Sequence, residues 1–186
     1  MPPPLPALDA PHASVLADGT RVISRPAGRA DLDAVNGLYR RCSKESLRAR
    51  HLTGRSEIKP HEWEGLVDVR RAITLLTTPT SAPGEVIAMT NLIETDTPGC
   101  VELAVLVEDA WQLRLGLGSC LVGYAAGLAA LHGYSSFTAE VGATNSWMLA
   151  ILRRLQITVP KPTSSTVSIT GPLPIRHAHS GLSQGR

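Results

Sequence analysis

The chain has 186 residues, of which 43% are hydrophobic and 18% are charged, and its formal net charge at pH 7 is +2. This composition is ordinary for a soluble globular protein, and the length suits one domain with a substantial core. The small net charge argues against a nucleic-acid binder, and no apolar run reaches the roughly 18–20 residues of a membrane span. The N-terminus also lacks the basic and apolar segments of a secretory signal, so we predict a cytoplasmic protein without nucleic-acid or membrane partners.

Cysteine and histidine spacing gives little support for a metal site or a disulfide framework. The three cysteines, Cys42, Cys100 and Cys120, are an odd number without a C-x-x-C pair. The pair His177 and His179 lies in a Gly- and Ser-rich tail without a neighbouring Cys or carboxylate cluster. We therefore predict reduced cysteines and no metal ion.

The N-terminal third of the chain predicts an unstructured arm, one strand and three helices. Residues 1–20 are Pro-rich and lack periodicity, which is typical of a flexible arm. The run "TRVISRP" predicts a strand, and "ADLDAVNGLYRRC" has helical spacing with Asp31 as a candidate N-cap. The runs "SKESLRARHL", with Ser43 as a candidate cap, and "KPHEWEGLVDV" predict two further helices.

The rest of the chain predicts an α+β sheet with helices on its faces. The runs "AITLLTT", "EVIAMTNLIE" and "CVELAVLVE" are joined by short turns and predict an antiparallel meander. A turn and a long amphipathic helix follow, then a strand in "SSFTAEVG" and a helix in "NSWMLAILRRL" that Asn145 could cap. The runs "QITVP" and "STVSITGPL" predict a last strand pair. We expect a folded domain over residues 21–171 and a disordered tail over 172–186.

The turn "QLRLGLGS" has features of a phosphate site. A helix that begins near Gly116 leaves its first N–H groups without intrahelical partners, and its dipole adds positive charge there. Gly116 and Gly118 would let an anion approach the main chain, while Arg114 and Ser119 would add side-chain donors. Two glycines in a tight turn are more often structural, so spacing alone leaves both interpretations open.

The stretch "VELAVLVEDAWQLRLGLGSCLVGYAAGLAALHGY", followed by "FTAEVGATNSWMLAILRRL", resembles the GNAT superfamily of acyl-CoA-dependent N-acetyltransferases. The resemblance covers roughly residues 20 to 170, and "TRVISRPAGRADLDAVNGLYRR" is similar to the family's first strand and helix. It implies a mixed, mostly antiparallel sheet with a splayed strand pair that holds acetyl-CoA as a co-substrate. The upstream helices look similar to bacterial protein-lysine acetyltransferases of the Pat type.

The resemblance also implies which residues bind the coenzyme. The backbone around the turn would hold the pyrophosphate, with the residues Arg114, Leu115, Gly116, Leu117, Gly118 and Ser119. Asn145 matches an Asn that lies beside the pantetheine arm, and its N-cap role is compatible with that contact. A Gln or Arg of the family pattern falls on Leu113, which is a departure that we expect to weaken pyrophosphate binding.

Acetyl transfer needs a base, an oxyanion donor and an acid. Glu102 interrupts an apolar strand, and a carboxylate there could take the proton of the amine; a plain surface carboxylate is the alternative interpretation. Glu140 is the second candidate base. The resemblance implies that the N–H near Leu106 or Val107 is the oxyanion donor.

Two further positions depart from the family pattern. The family's usual acidic Tyr falls on Leu152, so the group that protonates the thiolate is not assigned. Gln156 stands where the family usually has a glycine.

The sequence favours an acetyl-CoA-dependent N-acetyltransferase that acts on a protein lysine or a small amine. A non-catalytic acyl-CoA-binding module on the same fold is the alternative, because Leu113, Leu152 and Gln156 depart from the enzyme pattern. The acceptor and the oligomeric state, including a homodimer, are left open.

Overall fold

The computed structural model describes residues 11–51, 55–112 and 116–174. These residues form seven strands and six α-helices, and a 3₁₀ turn at Arg29–Asp31 leads into the first helix. The strands are β1 His12–Val15, β2 Arg21–Pro26, β3 Ala72–Pro79, β4 Ala88–Glu94, β5 Cys100–Val107, β6 Ser136–Gly142 and β7 Thr166–Pro172. The helices are α1 Leu32–Arg41, α2 Lys44–His51, α3 Pro60–Leu66, α4 Asp109–Gln112, α5 Leu117–Leu131 and α6 Ser146–Arg154.

The described strands form one sheet in the order β1-β2-β3-β4-β5-β6-β7. All neighbours are antiparallel except β5 and β6, which run parallel because α5 carries the chain back across the sheet. The predicted α+β class and the β3–β4–β5 meander are therefore confirmed. None of the described helices combines the length and the hydropathy that a membrane crossing requires.

The parallel pair opens soon after it forms. β5 and β6 are paired only from Cys100 to Glu102 and from Ser136 to Thr138, although β5 continues to Val107. Among the described residues, no strand lies beside the rest of β5 on that side, while β6 remains paired with β7 along its whole length. The predicted splayed strand pair is confirmed, and it leaves a cleft in the sheet.

Two hydrophobic cores lie on opposite faces of this sheet. Residues 101, 103, 105 and 107 of β5 turn toward α5 and α6, where Leu117, Phe137 and Leu152 are nearly inaccessible to solvent. On the other face, Leu106 packs with residues of α1, α2 and α3, including Leu38 and Trp63. Alternation along β5 therefore places the side chain of Glu102 on the α2 face of the sheet.

Three predictions about local structure are corrected. The arm predicted over residues 1–20 is wrong for residues 12–15, which form β1 because β2 offers them a free edge to pair with. Only Thr166–Pro172 of the predicted last strand pair is a strand. Asp31 makes no N-cap hydrogen bond, because its carboxylate is held by Arg25 at 2.7 Å and 2.8 Å. Residues 1–10 and 175–186, with His177 and His179, lie outside the described residues.

Candidate active site

The splay between β5 and β6 contains a cavity and a groove. The cavity has a volume of about 280 Å³ and is lined by both strands together with α2, α5 and α6. The groove, of about 1090 Å³, continues from it between α2 and the start of α6. Ala49, Arg50, Val105 and Asn145 line both spaces, so they mark the junction where the two meet. A long ligand in the groove would bring its end to this junction.

Glu102 lies at the inner end of the cleft. It is the last residue of β5 that is paired with both β4 and β6, and its half-buried side chain lines the cavity. Glu140, the second candidate base, also lines the cavity but is exposed. Both candidate carboxylates therefore face the same space, and the more enclosed of them is Glu102.

Arg50 reaches into the cleft from α2, and the sequence had assigned it no role. Its Nη2 donates to Asn91 Oδ1 at 2.8 Å, Asn91 Nδ2 donates to Thr74 Oγ1 at 2.8 Å, and Thr74 Oγ1 donates to the Leu66 carbonyl at 2.6 Å. Burial lowers the pKa of Arg50, and the charge of Glu102 acts in the opposite direction. The signal in the sequence was Asn91, an amide inside an otherwise apolar strand.

His51 follows Arg50 and also lines the cavity. Its Nε2 lies 2.6 Å from the hydroxyl of the buried Tyr39. Burial, with the positive charges of Arg50 and Arg55, lowers the pKa of His51 to about 4, and burial raises the pKa of Tyr39 to about 12. At neutral pH both groups are therefore uncharged, and a hydrogen bond joins the hydroxyl to the imidazole.

The backbone of β5 presents N–H groups to the cleft at alternate residues. The Glu108 N–H donates to the Ile87 carbonyl at 2.9 Å, so the even-numbered residues, including Leu106, turn their N–H toward β4. The odd-numbered residues face the other way, where the Val107 carbonyl accepts from Gln112 Nε2 at 3.0 Å. Of the two predicted oxyanion donors, Val107 is the one with its N–H on the cleft side, and Val105 shares that orientation.

Helix α5 begins at Leu117. The residue before it, Gly116, has a left-handed backbone conformation with φ of 96°. A residue with a Cβ rarely adopts this φ, so the glycine is required by the backbone itself. The helical hydrogen bonds start with Cys120 N–H to the Gly116 carbonyl at 2.8 Å. Leu113, Arg114 and Leu115 lie outside the described residues, so their predicted contacts are not located.

Helix packing requires a glycine at position 118, which the sequence did not reveal. A Cβ built on it would lie 2.2 Å from Ile151 Cδ1 and 2.9 Å from Trp147 Cζ2, both on α6. The missing side chain therefore lets α5 and α6 approach closely, and the need for glycine here does not depend on a bound anion. Ser119, the next residue, has a buried Oγ without a hydrogen-bond partner among the described residues.

Asn145 and Gln112 tie the elements around the groove together. Asn145 Oδ1 accepts from the Met148 N–H at 3.1 Å, so the predicted N-cap is present, and the residue also lines the cavity and the groove. Gln112 Nε2 donates to Ser46 Oγ at 2.9 Å, and the Gln112 carbonyl accepts from Trp147 Nε1 at 2.8 Å. Gln112 therefore joins α4 to α2 and α6, and its amide is not free for a phosphate.

The two other departures from the family pattern also have structural consequences. Leu152 is buried to 1% exposure and lines the cavity, so α6 offers an apolar surface where the family has a hydroxyl. Tyr124, on α5, stacks on His12 with ring centroids 4.1 Å apart, and both line a groove on the outer side of α5. Gln156 has a φ of 61°, which is the left-handed conformation that a glycine would adopt without strain.

No group of three or more His, Cys, Asp or Glu side chains that could hold a metal ion occurs in the part of the chain that the structure describes. Cys42, Cys100 and Cys120 are free thiols. Burial raises the pKa of Cys42 to about 12, with the nearby Asp109 and Glu108 carboxylates acting in the same direction. A thiol in that state is not a nucleophile at neutral pH.

Solved structures with this architecture include GNAT acetyltransferases. The GNAT domain of S. lividans Pat has a TM-score of 0.78 and 25% sequence identity, covering 88% of this chain and 97% of that one. A mutant of a cAMP-binding acyltransferase from Mycobacterium smegmatis has a TM-score of 0.61 and 25% identity over 91% of this chain, which spans 49% of that protein. The protein yncA of Salmonella typhimurium, a candidate acetyltransferase solved with acetyl-CoA, has a TM-score of 0.65 and 19% identity, covering 84% of this chain and 96% of that one.

Comparison by sequence gives no assignment: no protein-family model and no curated protein matches the chain. The predicted resemblance is therefore confirmed through the three-dimensional fold.

Proposed function

Because the chain has the GNAT fold, we propose that it is an acetyl-CoA-dependent N-acetyltransferase that transfers the acetyl group directly to an amine. The observation that carries the proposal is the cleft between β5 and β6, which is open to a long ligand at one end and contains Glu102 at the other. Acetyl-CoA bound to the Salmonella typhimurium protein supports the choice of co-substrate. The acceptor is a protein lysine or a small amine.

The coenzyme would enter through the groove. The turn from Arg114 to Ser119 would hold the pyrophosphate, because the first N–H groups of α5 have no intrahelical partners and the helix dipole favours an anion there. The pantetheine arm would follow the free edge of β5, where it could pair with the backbone as a strand does. Asn145, at the junction, would lie beside this arm.

Glu102 would act as the general base. An amine such as that of lysine has a pKa near roughly 10.4, so it must lose a proton before it attacks the thioester. The half-buried carboxylate of Glu102 faces the cavity in which the amine would lie. It would accept this proton directly or through a water molecule.

The cleft-facing N–H of Val107 would stabilise the oxyanion that forms as the amine attacks the carbonyl carbon. The carbon–sulfur bond then breaks, and the thiolate leaves with a proton. Since α6 carries Leu152 where a hydroxyl would serve as acid, we propose that water delivers this proton through the groove.

The proposal is tested by thiol release from acetyl-CoA with a panel of amines, comparing the wild type with Glu102→Gln. General base catalysis contributes roughly 10²–10⁴-fold, so we expect a loss of at least about 100-fold in kcat/KM at pH 7. The loss of activity should shrink as the pH approaches the pKa of the amine, because less of the amine then needs to be deprotonated by the enzyme. Glu94→Gln, an exposed carboxylate on the neighbouring strand, is the matched control.

The non-catalytic alternative makes a different prediction. An acyl-CoA-binding module would bind acetyl-CoA in titration calorimetry but release no thiol with any amine of the panel. The apolar Leu152 is the structural feature that favours this alternative. Absence of acetyl-CoA binding at millimolar concentration would reject both functions.

A further inference from the structure

We propose that Arg50 binds the carbonyl oxygen of the acetyl thioester and stabilises its oxyanion, as a cationic partner to the N–H groups of β5 that face the cleft. This inference rests on the proposed function, since it names a further residue of the same site. It starts from a guanidinium that lies inside the cleft with an unused donor.

The Nε of Arg50 is buried and has no hydrogen-bond partner among the described residues. A buried N–H without a partner costs about 1–3 kcal/mol, and more when the group is charged. In native proteins such a group calls for an explanation, and a ligand that supplies the acceptor is one. The unused donor therefore points to an oxygen atom that arrives in the cleft with the substrate.

The rest of the guanidinium is held in place by neutral groups. Asn91 accepts from Nη2, and Asn91 is itself fixed by Thr74. No ion pair joins Arg50 to a carboxylate in the described part of the chain, although Glu102 is near enough to affect its charge. The positive charge is thus oriented but not neutralised by direct contact, which suits a group that receives negative charge during a reaction.

The position of Arg50 identifies which oxygen it would receive. Arg50 lines both the groove that would hold pantetheine and the cavity that would hold the amine, so it lies where the two substrates would meet. Val105 shares this junction, and the N–H groups of β5 that face the cleft lie on the same edge. The atom that both the groove and the cavity would share is the thioester carbonyl.

The role can be written as a balanced step. The amine lone pair forms a bond to the carbonyl carbon, the π electrons of the C=O bond move to oxygen, and Arg50 Nε and a cleft-facing N–H of β5 donate to that oxyanion. When the oxyanion collapses, the carbon–sulfur bond breaks and the thiolate leaves. Arg50 keeps its proton throughout and acts on the oxyanion by hydrogen bonding and charge. Glu102 accepts the proton that the amine loses.

A binding experiment isolates the carbonyl contact without any knowledge of the acceptor. Titration calorimetry compares acetyl-CoA with S-ethyl-CoA, a thioether of the same length that lacks the carbonyl oxygen. We expect the wild type to bind acetyl-CoA about tenfold more tightly, and Arg50→Gln to show a much smaller preference, because only the main-chain contact to the carbonyl remains. Arg40→Gln, an exposed arginine on α1, should keep the wild-type ratio.

The kinetic counterpart is a loss of roughly 10²–10³-fold in kcat for Arg50→Gln. Arg50→Lys keeps the charge and serves as the second variant if Arg50→Gln unfolds, which circular dichroism will show; we expect an intermediate binding ratio. A wild-type ratio near one, or the same ratio in all variants, would overturn the inference. So would a shifted pH profile with an unchanged ratio, because Arg50 would then act through Glu102.

The outcomes separate this inference from the proposed function. If acetyl-CoA is bound and no amine is acetylated, the catalytic proposal fails while the binding ratio still decides the contact of Arg50. If neither ligand binds, both fail together.

Discussion

Replacement of Gly118 by alanine tests whether the turn before α5 is shaped by helix packing or by a ligand. The new Cβ would lie 2.2 Å from Ile151 Cδ1 and 2.9 Å from Trp147 Cζ2, both well inside contact distance. Ile151 is 8% exposed, and the indole of Trp147 is fixed by its hydrogen bond to the Gln112 carbonyl. Neither side chain can yield without disturbing its own neighbours, so we expect α5 and α6 to separate slightly.

The magnitude follows from two opposing effects. Overpacking of this kind costs about 1–3 kcal/mol, while alanine gains up to about 1 kcal/mol over glycine in a helix. The 2.2 Å approach to Ile151 places the overpacking cost in the upper part of its range, at about 2–3 kcal/mol, so the net loss of unfolding free energy is about 1–2 kcal/mol. For a chain of this size that corresponds to a fall in Tm of about 2–8 °C.

Gly123→Ala is the matched control, because Gly123 lies on the same helix and a Cβ there would meet no atom within 4 Å. Only the propensity gain remains, so its Tm should rise by about 2–4 °C. Thermal unfolding of the three proteins, followed by circular dichroism, gives the comparison. A rise in Tm for Gly118→Ala equal to that of the control would refute the packing argument. Unchanged stability with a loss of acetyl-CoA binding would show that the glycine serves the ligand instead.

Three further predictions concern backbone strain and proton binding. Gly116→Ala should lower the unfolding free energy by about 1–2 kcal/mol, as measured in urea, because an L-residue is strained at φ of 96°. Gln156→Gly should raise the unfolding free energy by about 0.5–1 kcal/mol, because glycine adopts the left-handed conformation of Gln156 without strain. Equal stability of this variant and the wild type would contradict the prediction. The pKa of His51 is about 4 when folded and 6.5 in its ordinary state, so the unfolded chain binds more protons between these values. Wild-type Tm should therefore fall from pH 6.5 to pH 4 more steeply than that of His51→Gln; parallel curves would reject this.

Much of the architecture could be predicted because its causes are local. The alternation of apolar residues in the three meander strands and the helical spacing after Gly116 each lie within one element, and the short turns between the strands leave little choice of partner. The amide of Asn145 and the glycine at Gly116 are likewise explained by backbone groups within a few residues of them. Glu102 was found for the same reason, as a charge that breaks an apolar strand.

Other features depend on residues that are far apart in the sequence. The strand at residues 12–15 exists because β2 presents an edge, and nothing in its own composition predicts it. Arg50 is one of several arginines in a charged segment until the fold places it against Asn91, 41 residues away, and in the wall of the cleft.

The sequence by itself thus determined the order of the central strands and helices and the acidic residue that interrupts β5, and its resemblance to the GNAT superfamily implied the splayed strand pair. The tertiary structure alone decided that Val107 and not Leu106 turns its N–H to the cleft, that Gly118 accommodates α6, and that Arg50 carries an unused donor. The physical reason is that propensity and periodicity act over a few residues, whereas close approach, burial and hydrogen-bond partners arise only when distant segments are packed together.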